Sequence, residues 1–584
     1  MPGWRKGAAQ AERVGSITGM DRHFNGSGLG RRLKQGLAQM LVALVWASLA
    51  FAGLGSPVTG GAAISAQRPG ARSLAAISLA AISLAARPLA AIDPRVWADT
   101  AGGKTASFIV LLNDQADLST IEAQTPLPAT AQEGHAATPL HPAAWVARGQ
   151  AVVTGLRQAA ARSQPGLIAY LDAAKAHYRP FWIVNAIEVE GDRRLALALA
   201  ARPEVARLES NRAFTVPLET ATSATLASQA IQPNLIQVNA PAMWAQGFTG
   251  QGMVFASADT GVEWNHPALI THYRGYNVAT GAVDHNFNWW DAIPANDGIS
   301  TTNPCGYALQ APCDDYDHGT HTTGIGVGDD GQGQQIGMAP GAKWIACRNM
   351  DHGTGRPAYY IACLQFFIAP TDLSGNHPDS SLRPDVINNS YACIPSEGCD
   401  PTSLHDAVEA VRAAGIFMAV SAGNNGAACS TVTDPPGLEA NVMTVGAVGA
   451  NNAIAGFSSL GPVTVDGSNR LKPNLVAPGL GIYSSLNNGG YGDMSGTSMS
   501  APHVAGAVLL LWSALPALRH NVSLTESLLE ESALHLTSSL GCGGDSLTSV
   551  PNNEFGYGLL NVEAAYQQAL LPRFVYYFPW VPNG

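Results

Sequence analysis

Between residues 251 and 447 the chain alternates short apolar runs with helix-patterned stretches, and that rhythm restricts its fold more than any other feature. Residues 251–258, 342–347, 385–389, 415–422 and 442–447 read as strands, and 357–367 and 404–414 as helices between them. Strands written as nearly continuous apolar runs, joined by helices, form a mostly parallel sheet covered on both faces, a three-layer α/β domain. Ligands of such sheets bind beyond the carboxyl ends of the strands. Polar residues just past each strand are therefore the ones to weigh for chemistry.

The first strand ends at Asp259-Thr260-Gly261 and the fourth at Gly423-Asn424-Asn425-Gly426. A carboxylate at a buried strand end needs a partner and is suited to hold an imidazole, although an isolated Asp-Thr-Gly is more often a turn. An asparagine N–H at such a place can point at a developing oxyanion; a plain tight turn is the alternative. Asp317-His318-Gly319-Thr320-His321 supplies two histidines on one helix face, without the H-E-x-x-H spacing of a metal site. Gly496-Thr497-Ser498-Met499-Ser500-Ala501-Pro502 precedes an apolar run from Val504 to Trp512. Ser498 thus stands at the N-terminus of a buried helix, where free amides and the dipole favour negative charge. Pro502 is compatible with a first turn. Taken alone, the heptapeptide could equally be an ordinary capped helix.

In their order and spacing these four motifs resemble the subtilisin-like serine peptidases, and Asp385-Val386-Ile387-Asn388-Asn389-Ser390 is most similar to the bacillopeptidase F-like branch. The resemblance covers residues 234–569, including the closing Phe555-Gly556-Tyr557-Gly558-Leu559-Leu560-Asn561. It implies Ser498 as nucleophile, His318 as base, Asp259 as the carboxylate that orients it and Asn424 as oxyanion donor, beside the Ser498 backbone N–H. It also implies a substrate-binding edge at Ser390, Tyr391 and Ala392, with Ala422 and Gly423 beside it. Departing from the family's Ser-Leu-Gly, Tyr391 is expected to reshape an upstream subsite. The loop after the His318 helix offers Asp329 and Asp330 as candidate calcium ligands; no other cofactor is implied. A long segment at 263–317 with Trp289 and Trp290 would form either a rim over the cleft or a packed insertion. The resemblance further implies a monomer acting on protein or peptide substrates, made as a zymogen with its own propeptide as inhibitor. Two rivals stand beside it. An acid-acting sedolisin shares the signature at 495–502 but is opposed by His318 and Asn424, and a silent peptide-binding protein is opposed by the complete set of catalytic residues.

The rest of the chain fits that organisation. Arg31, Arg32 and Lys34 precede an apolar run at 37–54 and small residues at 50–52, so 1–52 reads as a secretory signal with a long N-region, or alternatively as an anchor. Residues 53–103 contain a five-residue repeat and read as a low-complexity spacer. Residues 104–217 read as a small α+β, ferredoxin-like domain, similar in pattern to the family's propeptide: strands at 107–112, 181–189 and 205–216, and helices at 149–174 and 193–200. A processing linker at 218–233, the catalytic domain at 234–571 and a tail at 572–584 complete the chain. Eight cysteines, with close pairs Cys305/Cys313 and Cys393/Cys399, lack zinc-site spacing and point to disulfides outside the cell, with the remaining pairing open. A formal net charge of −11 excludes nucleic acid as the main partner.

Overall fold

The computed structural model describes residues 89–126, 142–216, 218–223, 231–296 and 303–571. The expected signal, the repeat up to residue 88, Pro217, residues 224–230 of the linker and the tail from 572 lie outside the described residues. Among the described residues no helix is long and apolar enough to cross a membrane.

The N-terminal part is a five-stranded sheet built from β1 (Ala91–Ile92), β2 (Ala106–Leu112), β3 (His177–Phe181), β4 (Ala186–Gly191) and β5 (Val205–Ser210). Its order β1-β5-β2-β4-β3 puts the first long strand between the last and the third, as in a split βαβ sandwich. The structured part starts before residue 104: Ala91 and Ile92 of the stretch read as spacer add a parallel edge beside β5. Two elements expected to be continuous are broken. The helix of 149–174 is α1 (Pro142–Ser163) followed by α2 (Pro165–Ala174), because Pro165 has no N–H for the preceding turn and instead starts a new helix. The strand of 181–189 is the hairpin β3–β4, turning at Asn185 with φ 39°. Helix α3 (Arg193–Ala200) lies where it was expected, with Asp192 accepting from the Leu195 amide as its cap.

After β5 the chain leaves this sheet. Two short strands, β6 (Phe214–Thr215) and β7 (Thr222–Ser223), pair with the C-terminal part instead, β6 against Thr354 and Gly355 and β7 against Gly492 and Asp493.

The C-terminal part is organised around a seven-stranded sheet of β8 (Val254–Asp259), β9 (Trp289–Asp291), β10 (Lys343–Arg348), β12 (Val386–Asn389), β13 (Phe417–Ser421), β14 (Met443–Val448) and β15 (Leu475–Pro478), with the two-residue β11 (Thr354–Gly355) following β10. The order is β15-β14-β13-β12-β8-β10-β9 and every pair is parallel. Alternation along each strand sends Phe255, Val386 and Ala419 to one face and Ala256, Ile387 and Met418 to the other. Helices α4 (His318–Val327), α5 (Pro357–Ile368), α6 (His405–Ala413) and α7 (Thr497–Ala514) make the outer layers. Helix α7 is buried on all sides, down to Trp512. A hairpin of β16 (Ile482–Ser485) and β17 (Tyr491–Met494) precedes it.

The small domain packs on α5 and α6 through Ile109, Leu111 and Phe181 of its sheet and Val152 of α1. A second anchor lies on α1. Trp145 stacks on His520 at 4.1 Å and carries the Arg383 guanidinium 3.6 Å from its ring centroid. Gly149 leaves room for that guanidinium, since a Cβ there would lie 2.2 Å from Arg383 Nη1.

All eight cysteines are paired: Cys305–Cys313, Cys347–Cys363, Cys393–Cys399 and Cys429–Cys542. The last spans 113 residues and the others 6 to 16. Closing a longer loop removes more freedom from the unfolded chain, so this cross-link should contribute most, about 3–5 kcal/mol. Replacing Cys429 and Cys542 together by serine should lower the melting temperature more than removing any other pair. Differential scanning calorimetry of the four double variants in a Ser498→Ala background checks the ranking.

Candidate active site

At the carboxyl end of β8, Asp259 is fully buried, and its Oδ1 lies 2.7 Å from His318 Nδ1. The carboxylate also accepts from the Thr260 amide at 2.8 Å and the Thr322 hydroxyl at 3.2 Å. Helix α4 begins at His318, and the close approach depends on two glycines. A Cβ on Gly319 would stand 2.0 Å from the Gly261 carbonyl oxygen, and Gly261, at φ 111°, passes against the Cys313 carbonyl. The buried Asp314 fastens the other side, accepting from Thr260 and Thr320. His321, one turn along, is a structural histidine: its Nε2 meets the Gly492 carbonyl at 3.1 Å, and burial pushes it down to about 3.

Ser498 is the second residue of α7. Its Oγ donates to the Ser390 carbonyl at 3.3 Å, while the Ser390 hydroxyl donates to the Ser498 carbonyl at 2.8 Å. Asn424, three residues past β13, is oriented by its own oxygen, which accepts from the Thr497 amide at 3.0 Å and hydroxyl at 2.9 Å. Its N–H group is thereby turned outward over the helix start. The neighbouring Gly423 amide donates to the Thr497 hydroxyl and the Ala422 amide to Val445, so both serve to hold this loop.

A residue that the sequence reading did not single out sits at the centre. Glu219, in the segment between β6 and β7, places Oε2 3.0 Å from His318 Nε2 and Oε1 2.5 Å from Asn424 Nδ2. Ser498 Oγ lies 3.3 Å from the same Oε1, so its single proton is shared between that carboxylate and the Ser390 carbonyl. Gly496 makes room for it, since a Cβ there would be 2.0 Å from that oxygen. Burial opposes the charge on Glu219, but the His318 hydrogen bond and charge hold its carboxyl below the usual range. Burial likewise works against a charged His318. Asp259 and Glu219 together outweigh it and raise the imidazole well above its ordinary value. Glu219 is the lone acid between residues 210 and 233, but nothing in the sequence around it points to the site.

The edge at Gly353–Gly355 was missed too. Gly355 pairs with Phe214, Thr354 with Thr215, and the Val216 amide donates to the Gly353 carbonyl at 2.9 Å, so the linker is added here as an antiparallel strand. A glycine-rich turn directly after β10 was its only mark. Across the cleft, Ser390 faces Ser498, and Tyr391 is 4% exposed and stacked on Tyr360 at 4.3 Å. Tyr360 in turn donates to the buried Glu397 at 2.8 Å and reaches under Gly355. Tyr391 therefore acts as support beneath the cleft, while Ala392 is half-buried at its edge.

Asp329 and Asp330 are not brought together as a cation cage. Asp329 accepts from the Gly331 amide and Asp330 from the Gln332 and Gln334 amides, and among the described residues no third acid or histidine joins them. A short polar turn satisfies its own carboxylates in this way. The described parts of 263–317, residues 263–296 and 303–317, extend the sheet: Trp289 is fully buried in β9 and donates to the Leu309 carbonyl, and Trp290 stacks on Phe366. One acidic and sulfur-rich cluster, Cys393, Glu397 and Cys399, has metal-like spacing, but its two cysteines are bonded to each other.

A carboxylate, an imidazole, a helix-terminal hydroxyl and an outward amide brought to one point can perform nucleophilic acyl transfer. Comparison with known proteins agrees. The model of the subtilase family matches residues 250–558. Bacillopeptidase F of Bacillus subtilis (strain 168) is 35% identical over 430 residues, which is 70% of this chain and 28% of that protein. Subtilisin NAT of Bacillus subtilis subsp. natto is 30% identical over 391 residues, covering 67% of this chain and 82% of the relative. Subtilisin of Bacillus pumilus is 31% identical over 342 residues, 58% of this chain and all of the relative. The chain thus spans well under a third of bacillopeptidase F but most of the shorter subtilisins. With a matched family model over more than half its length and that geometry at its strand ends, the chain belongs to the subtilase family of subtilisin-like serine peptidases.

Proposed function

We propose that this chain is an exported serine endopeptidase that hydrolyses peptide bonds through an acyl-enzyme and is made as a self-processing zymogen. The observation that carries this reading is the convergence of His318 Nε2, Asn424 Nδ2 and Ser498 Oγ on one carboxylate, that of Glu219. A carboxylate held by a base, an oxyanion donor and a nucleophile stands for the acyl group of a substrate. In turnover, Ser498 Oγ attacks the carbonyl carbon while its proton passes to His318 Nε2. Asp259 fixes the tautomer and carries the imidazolium. The carbonyl oxygen takes the negative charge toward Asn424 Nδ2 and the Ser498 backbone N–H. As the C–N bond breaks, His318 gives its proton to the departing amine, and water then repeats the sequence to release the acid.

The N-terminal domain is read as the inhibitory propeptide, with the cut falling between Val216 and Gln232. Supporting this, the linker lies as a strand on the Gly353–Gly355 edge and reaches the catalytic centre. Four disulfides suit an oxidising compartment and so export. Protein and peptide chains are the substrates, bound by backbone pairing on that same edge, with the enzyme acting as a monomer.

Full-length protein and its Ser498→Ala variant, purified without other proteases and exposed to a fluorophosphonate, should separate in intact mass. Wild type should lose everything up to a cut in 216–232 and gain one adduct, and the variant should do neither. A variant cut as fast as wild type would overturn self-processing. On peptide substrates, Asn424→Ala in the mature enzyme should lower kcat by about 10²–10³-fold with KM little changed, a magnitude carried over from subtilisin. The mature enzyme's kcat/KM should rise with pH as His318 loses its proton, because only the neutral imidazole accepts the Ser498 proton. A profile flat from acid to neutral pH would remove His318 from the role of base.

A further inference from the structure

The linker that crosses the catalytic centre is held at both ends. On one side β6 pairs with β11, and on the other Thr222 and Ser223 pair with Asp493 and Gly492 of β17. Between these anchors the Leu218 carbonyl accepts from the Tyr316 hydroxyl at 3.4 Å, and the group reaching Asn424 and Ser498 is the side chain of Glu219. Resting on the zymogen reading above, we propose that the catalytic centre is a carboxylate-binding site whose resident ligand is the Glu219 side chain, so that the linker is held there as an inhibitor rather than a substrate.

The chemistry of the contact supports this. The site is built for the ligand: its polar contacts are His318 Nε2, Asn424 Nδ2 and Ser498 Oγ, and side-chain-free Gly496 shapes the space around the Oε1 atom. A carboxylate is a poor acyl donor, because attack on it would have to expel an oxide, so a serine hydroxyl beside it forms a hydrogen bond and does not acylate. Its charge also holds His318 protonated, which removes the base. Cleavage of the linker therefore requires Glu219 to leave and a main-chain carbonyl to take its place.

The pH dependence follows from the groups facing the pair. These are Asp259 at the end of β8, His321 one turn along α4 and Tyr316 ahead of that helix, with the neutral Asn424 and Ser498 completing the surround. His321 is neutral, pushed down to about 3, and Tyr316 is pushed upward and uncharged, so the pair senses chiefly Asp259. Raising the pH through the elevated titration of His318 removes the ion pair and frees the base together. Lowering it protonates Glu219 but leaves His318 charged, so acid releases the carboxylate without starting catalysis.

The test compares processing of full-length wild type, Glu219→Gln and Ser498→Ala by intact mass, from about pH 5 to about pH 9. Glu219→Gln should be processed at least about tenfold faster at neutral pH, with the rising limb of its profile at lower pH, since the neutral glutamine no longer holds the His318 proton. Alongside, synthetic peptides of residues 214–223 carrying glutamate or glutamine at 219 are offered to the mature enzyme. The glutamate peptide should inhibit and survive, and the glutamine peptide should be cut. Equal rates and equal profiles for wild type and Glu219→Gln, with Ser498→Ala uncut, would overturn the carboxylate site and leave self-processing standing. If Ser498→Ala is cut as fast as wild type, self-processing fails. The peptides then decide: equal affinity and equal cleavage of the two overturn the site, and selective survival of the glutamate peptide supports it. The same comparison decides if Glu219→Gln does not fold.

Discussion

A 2.7 Å contact between two fully buried side chains, Asp259 and His318, sets the terms for the rest of the large domain. Burying a carboxylate against an imidazole is costly unless every remaining lone pair and proton finds a partner. Much of the surrounding backbone is arranged to supply them. The Thr260 amide and the Thr322 hydroxyl reach Asp259, and Asp314 ties Thr260 to Thr320 on the helix. Strand β8 and helix α4 can approach this closely only because residues 261 and 319 carry no side chain. The contact is therefore a property of two chain segments docked without a Cβ between them, as much as of two ionisable groups.

Cross-links and buried charges secure the loops that hang from this contact. Cys305–Cys313 closes the loop just before Asp314, Cys393–Cys399 the loop after Tyr391, and Cys429–Cys542 the loop that follows Asn424. At the end of β10 the fully buried Arg348 stands among Asp291, Asp315 and Asp351, joining the end of β9, the approach to His318 and the turn before the Gly353–Gly355 edge. Burial pushes Asp315 up to about 7 and Asp291 up to about 6 despite the guanidinium, so this cluster holds its charge under tension. Removing one member of such a network leaves the others buried and unpaired, which costs more than the pairing contributed. Position at the active edge and stability are thus coupled through one arginine.

The sequence made the core of the site legible because each catalytic residue follows a strand or opens a helix within a short motif. Local chemistry left a turn, a packed histidine or a capped helix open at each, and it was the order and spacing shared with the subtilisin-like peptidases that singled out Asp259, His318, Asn424 and Ser498. The fold class was equally readable, since apolar runs alternating with helical stretches are a local pattern. What escaped depended on long-range pairing. Glu219 meets Asn424 across 205 positions and Ser498 across 279, and no local rule marks a single acid in a polar linker as their partner. The departure of β6 from its own domain was hidden for the same reason: 205–216 is one extended stretch in the sequence, and only the waiting edge at Thr354–Gly355 divides it. Tyr391 was expected at the substrate edge by resemblance to the family's Ser-Leu-Gly, and the stack with Tyr360 that turns its ring inward joins two separate elements. At Asp329 and Asp330 each carboxylate accepts from amides of its own turn, a local satisfaction that only the backbone conformation reveals.

One electrostatic field acts on any oxygen that enters the site. Helices α4 and α7 both begin at the site, so the positive ends of two dipoles face the same small volume. Asn424 adds a donor fixed by Thr497, and His318 adds a charge when protonated. This field stabilises negative oxygen wherever it comes from, whether it forms on a substrate carbonyl during attack or is brought ready-made on a side chain. A centre suited to the first is therefore intrinsically receptive to the second. A linker that must lie across such a centre without being consumed can meet that demand with a single acidic residue, provided its backbone is pinned on both sides. The pairings of Phe214–Val216 and Thr222–Ser223 supply those pins.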